Sequence, residues 1–215
     1  WASASFAVLA DTAMGLLGGD LKRRETVAGR FSDVFAWLYL ASATVKRFEA
    51  EGRRAEDLPF FHWSMQYSLA RIQEAFLGLL ANLNLPGMGW LLRGPVSLWW
   101  RMNPMGREPS DEVGQAVARA MQQPGGVRDT LTEGIYLPTA EGEALAELER
   151  TFALCVEADG ILGRVRKATR KGELSRGKPL QLLDEALEKG VVTAEELETV
   201  RAAEVARDAT IQVDD

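Results

Sequence analysis

Histidine and cysteine are almost missing from this chain: among 215 residues there is one of each, His62 and Cys155. That excludes a disulfide framework, a zinc finger and any His-rich metal centre. β-Branched runs of period two are absent, which removes the usual signal for strands. No Gly-rich phosphate loop is present; Gly87-Met88-Gly89 lacks the helix-opening context that a nucleotide motif needs. Positive charge does not dominate either. The 25 Lys and Arg stand against 31 Asp and Glu, a net charge of −6, which argues against a nucleic-acid partner. No basic stretch followed by an apolar stretch and a small-residue cleavage site is visible, so no secretory signal can be read.

What is there is ordinary globular usage, 47% hydrophobic and 26% charged, which excludes disorder as the main state. By surface scaling, a chain of this mass buries roughly 70% of its unfolded surface, enough for one large core or two small ones. The chain opens at Trp1 inside an apolar-periodic stretch and ends at Val213-Asp214-Asp215, and the expectation is a piece of a longer polypeptide.

The apolar spacing is helical nearly throughout, and the expected fold is all-α. An antiparallel bundle of long helices is followed by a set of shorter ones. In 1–17, Phe6, Leu9, Ala13, Leu16 and Leu17 share a face, and Gly18-Gly19 suits a helix end. A helix over 21–51 carries Phe31, Val34, Phe35, Leu38, Val45 and Phe48, with Gly52 as its stop. Gly29 interrupts that helix, and the reading is a close helix–helix crossing. The strongest stripe, Leu58 to Leu83, opens with Asp57 near the N-cap and Pro59 in the first turn. Residues 84–109 break the rhythm with four prolines.

Short helices are then predicted over 110–122 and 127–133. Thr139 is read as the cap of a helix bearing Leu145, Leu148, Phe152 and Cys155 on one face, and Asp159 as the cap of a separate basic helix to Lys171. A helix over 179–189 stops at Gly190. Thr193 and Glu196 form a capping box before a last helix to about Ala209. These elements suggest regions 1–83, 84–109 and 110–215.

Chemistry is hard to find. His62 lies among aromatic neighbours and reads as a packed or capping residue, not as the centre of a relay. Cys155, on an apolar stripe, reads as a small buried hydrophobe. The carboxylate pairs Glu141/Glu143 and Glu147/Glu149 read as a solvated face. No catalytic, cofactor-binding or metal-ligating residue is assigned.

One segment stands apart. From Glu74 to Glu108 no other acidic residue occurs, while Arg93, Arg101, Arg107, Trp90, Trp99 and Trp100 do. A helical wheel over 88–102 puts Leu91, Leu92, Pro95, Leu98, Trp99 and Met102 on one side and Trp90, Arg93, Trp100 and Arg101 on the other. Residues 75–92 contain Asn82, Asn84 and Pro86 and do not read as a membrane span. The composition suits an interfacial element with Trp at the boundary and Arg facing anionic lipid. It suits equally a contact with protein. The candidate contact residues are Trp90, Leu91, Leu92, Arg93, Leu98, Trp99, Trp100 and Arg101. A second basic run, Arg164, Arg166, Lys167, Arg170, Lys171, Arg176 and Lys178, would assist if it lay alongside.

The stretches Leu17-Gly18-Gly19-Asp20-Leu21-Lys22-Arg23-Arg24-Glu25, GRFSDVFAWLYLASATVKRFEAEGR (29–53), DLPFFHW (57–63), PSDEVG (109–114), LDEALEKGVV (183–192) and IQVDD (211–215) occur in this order. Together they resemble the C-terminal region of the long bacterial (FadE-type) acyl-CoA dehydrogenases. The resemblance implies a helical domain that follows the catalytic body of an enzyme oxidising acyl-CoA to trans-2-enoyl-CoA in fatty-acid β-oxidation. It further implies a glutamate base and an FAD bound upstream, and electron-transferring flavoprotein as acceptor. Homodimer formation and a cytoplasmic location at the periphery of the inner membrane also follow from it. Two rivals remain at this stage. One is a stand-alone helical interaction module. The other is an acyl-CoA-binding role for the 1–83 bundle with Lys22, Arg23 and Arg24.

Overall fold

The computed structural model describes residues 1–140 and 142–212. Glu141, and Val213 to Asp215 at the end of the IQVDD stretch, lie outside the described residues. Among the described residues the fold is all-α, with no strand. The chain forms two compact units, Trp1–Ala120 and Met121–Asp215. The sequence reading draws its boundaries at 83 and 109 instead.

In the first unit, α1 (Ala2–Leu17) ends at Gly18, whose φ of 49° closes the helix. A 3-10 turn over Gly18–Arg23 follows, so α2 (Glu25–Ala50) starts later than the expected residue 21. Gly52 then takes φ 83°, and α3 (Leu58–Asn82) returns along α2. The direction is written in the side-chain pairs. Phe48 stacks on Phe61 at 4.5 Å, Trp37 meets Tyr67 at 5.3 Å, and Arg30 lies over Gly78. The pairing descends α2 as it climbs α3, which defines an antiparallel hairpin. Val34, Ile72, Phe76, Leu79, Leu80 and Leu83 are fully enclosed at its centre, joined by Ala13 and Leu17 of α1.

Asp57 takes the N-cap position of α3 and Pro59 its first turn, as expected, but the Asp57 side chain does not cap. The residue sits in helical conformation with no capping hydrogen bond, and both carboxylate oxygens accept from Arg54, at 2.7 and 3.0 Å. Gly29 is exposed, with nothing within 4 Å of where a Cβ would lie, so no helix crosses there. The close approach is at Gly106, where a Cβ would run into Leu69 and lie 2.8 Å from the Ala70 nitrogen. Leu16 and Phe35, expected to face inward, are exposed.

After α3 come α4 (Gly89–Leu91), a π turn (Leu92–Val96) and α5 (Ser97–Met102), which together make one bent helix. α6 (Asp111–Met121) and α7 (Gly126–Leu131) follow.

The second unit is built on α8 (Ala144–Lys171), α9 (Leu183–Glu188) and α10 (Ala194–Ile211). α8 is one uninterrupted helix, contrary to the reading of two. Asp159 lies in its middle and accepts from Arg166 at 2.7 Å instead of capping anything. Thr139 caps nothing, since α8 starts after Glu143. Leu145 and Leu148 are exposed; the buried stripe is Ala146, Thr151, Ala158, Ile161, Val165 and Ala168. The small residues let α10 approach closely, with Leu197, Val200 and Ala203 facing them. The capping box holds: Glu196 N–H donates to Thr193 Oγ1 at 3.2 Å, and Thr193 N–H donates to Glu196 Oε2 at 3.0 Å.

Candidate functional site

The bent helix over 89–102 carries the candidate contact residues. Pro95 has no N–H to give its helix, and Ser97 N–H reaches back five residues to the Leu92 carbonyl. This π turn adds one residue to the helical repeat, so everything after it is rotated relative to the regular wheel. The expected two sides are therefore shuffled. Leu92 and Trp100 go into the core, and Trp100 is only 5% exposed. Trp90, Leu98, Trp99 and Met102 face out, Trp90 at 71% and Trp99 at 50%. Leu91 is half-buried.

Trp100 packs its ring 4.6 Å from that of Phe76 and stacks at 5.2 Å on Trp1, which also meets Trp99 edge-on at 5.6 Å. Through this contact exposed Trp1, at the start of α1, joins exposed Trp99 in one apolar surface. Between α1 and the bent helix runs a groove of about 310 Å³ lined by Ala4, Ser5, Val8, Leu9, Leu80, Val96 and Trp100. Sequence reasoning missed α1 here because its apolar residues looked like one core face. By length and composition Ala2–Arg23 is apolar enough to cross a membrane, with a mean hydropathy of 1.2. Its α-helical part, Ala2–Leu17, spans only ~24 Å, short of a ~30 Å hydrocarbon core.

The three arginines differ. Arg93 is folded over Gly89, donating to Asn84 Oδ1 at 2.9 Å and to the Gly89 carbonyl at 3.3 Å. Arg101 and Arg107 are exposed and carry no ion pair among the described residues. The second basic run belongs to the other unit and is partly neutralised: Arg164 pairs with Glu196, Arg166 with Asp159 and Lys171 with Glu173.

A polar groove between α2 and α3 is lined by Arg30, Asp33, Trp37, Arg71, Glu74 and Gly78. Its charges balance, and Arg71 is bound to Glu74 at 2.8 Å and to Glu108. His62 is exposed, its ring 5.9 Å from that of Phe61, so it is not packed into the core as the sequence suggests. Cys155 is half-buried. Arg24 donates to the Asn84 carbonyl at 3.3 Å and Arg23 lies 3.9 Å from Asp20, while Lys22 is exposed. Among the described residues no cluster of His, Cys, Asp and Glu is placed to hold a metal ion.

The family model described as acyl-CoA dehydrogenase, C-terminal, bacterial type, matches residues 1–215. This chain belongs to that family. No solved structure matches it. As a C-terminal domain of acyl-CoA dehydrogenases, it is part of a larger oxidoreductase. The groove beside Trp100 is lined almost wholly by apolar side chains, with the Ser5 hydroxyl as the exception.

Proposed function

We propose that this domain docks its acyl-CoA dehydrogenase onto the cytoplasmic face of the inner membrane, where the enzyme meets long-chain substrate in fatty-acid β-oxidation. The observation that carries the proposal is the surface over 90–107. Exposed Trp90, Leu98, Trp99 and Met102 share a stretch without carboxylates with Arg101 and Arg107, which are exposed and carry no ion pair among the described residues. Apolar rings at headgroup depth together with exposed guanidinium groups match an anionic interface. In the complete enzyme the bound FAD, held outside this chain, supplies the hydride-accepting chemistry, and electron-transferring flavoprotein takes the electrons. This domain contributes position, not reacting groups. A second reading is favoured by Trp1, Val8 and the groove beside them. There the same surface is covered by the catalytic body or by the second protomer of a homodimer. The match over the full chain favours both readings over a stand-alone module.

Co-sedimentation of the intact enzyme with anionic vesicles decides between them. Each arginine near the surface contributes about 1 kcal/mol, so Arg101→Gln should weaken binding about fivefold, and Trp99→Ala should weaken it further. Vesicle binding unchanged in both variants, with an altered oligomeric state, selects the protein contact.

A further inference from the structure

Gln73 is a buried amide on α3, 7% exposed, and its two ends bridge to a distant part of the chain. Its Nε2 donates to the Trp100 carbonyl at 3.0 Å, and its Oε1 accepts from the Met105 N–H at 3.0 Å. A carbonyl can only accept and a backbone N–H only donate, so the amide has one possible orientation. The reason it is needed lies in the sequence. The Trp100 carbonyl would find its helical partner on residue 104, and residue 104 is proline, which has no N–H. Gln73 supplies the missing donor and then takes the first free N–H beyond the proline. Trp100 is thereby seated in the core while its neighbours Trp99 and Arg101 face outward.

We propose that Gln73 is the positioning residue of the docking surface: its amide latches 100–105 onto α3 and holds Trp99 and Arg101 in their outward register. The link to docking rests on the membrane reading above; the latch itself does not.

The test is hydrogen exchange at the Met105 amide in the intact dehydrogenase, with each variant compared to the wild type at the same pH. Gln73→Leu removes both bonds and should speed exchange about tenfold or more at every pH. Gln73→Glu should behave differently. A protonated carboxylic acid can donate to the Trp100 carbonyl and accept from Met105, whereas a carboxylate, though it can still accept from Met105, sets a charged oxygen against the Trp100 carbonyl oxygen, and that repulsion pushes 100–105 off α3. Burial raises the acid's pKa. Exchange should therefore be fast at neutral pH and return close to the wild-type rate as the acid protonates. The charged neighbours on α3, Arg71 and Glu74, and those beyond the latch, Arg107 and Glu108, are the same in every variant. Unchanged exchange in Gln73→Leu overturns the proposal. So does a Gln73→Glu profile identical to that of Gln73→Leu, or acceleration spread evenly over α2 and α3. Vesicle binding of the same variants is read separately. A loosened latch with undiminished binding removes the docking role and leaves the latch standing.

Discussion

Trp99 and Trp100 are adjacent in sequence and should behave oppositely when truncated. Trp100 is almost fully enclosed, with the rings of Phe76 and Trp1 both packed against its own. Replacing it by alanine leaves a cavity under the bent helix, and such truncations cost about 3–5 kcal/mol. Half of Trp99 is already in solvent, and what it holds is mainly its edge-on contact with Trp1. An aromatic pair of that kind contributes about 0.5–1.5 kcal/mol beyond the area it buries, and with only half of the ring covered Trp99→Ala should cost about 1–3 kcal/mol. Trp100→Ala should therefore be the costlier variant by about 2 kcal/mol, a difference that a chemical denaturation series resolves. Denaturation of the intact enzyme followed by far-UV circular dichroism measures it. Equal losses, or a larger loss for Trp99→Ala, would refute the placement of Trp100 in the core and the rotated register behind it. Vesicle affinity should show the reverse order, with Trp99→Ala the more damaging variant per unit of stability lost.

Gly106→Ala forces a Cβ into Leu69 and the backbone at Ala70, and overpacking of this kind should destabilise the first unit by about 1–3 kcal/mol in the same denaturation assay. Gly29→Ala should do the opposite. The site is open and helical, so reduced freedom of the unfolded chain should add about 0.4–1 kcal/mol, and a loss would show that something closes on Gly29. In the second unit, Glu185 is held below the ordinary 4.5 by hydrogen bonds from Lys189 and Ser175, and Glu196 likewise by the Thr193 N–H and Arg164. Their ionised forms are favoured by folding. That stabilisation is complete above the unfolded value near 4.5 and is lost as pH falls through the lower folded values. Melting temperature against pH should therefore drop more steeply on the acid side in the wild type than in Glu185→Gln with Glu196→Gln. Parallel curves would show that these contacts contribute nothing in solution.

Much of this architecture is readable before folding because it is decided within one or two turns of chain. The helical period selects α1, α2 and α3. Gly52 and Gly190 end their elements with φ values of 83° and 70° that glycine adopts readily. Thr193 and Glu196 cap α10 through atoms three residues apart. The enrichment of tryptophan and arginine over 90–107, with no carboxylate, is equally local and marks the candidate surface by itself. Which side of a helix is covered is a different kind of fact, since it depends on what arrives from elsewhere in the chain. A wheel drawn at constant pitch puts Trp90 and Trp100 on the same side, but the π turn at Pro95 rotates all that follows it, so Trp100 turns into the core while Trp90, before the turn, stays exposed. Pattern alone assigns Gly29 to a crossing, yet the crossing is at Gly106, because close approach is set by where 105–107 meets α3. Gln73 carries no local signal at all. Its amide acquires a role only when the hairpin and the bent helix bring the Trp100 carbonyl and the Met105 N–H to its two ends, and a bond spanning about thirty residues exists only in the tertiary structure.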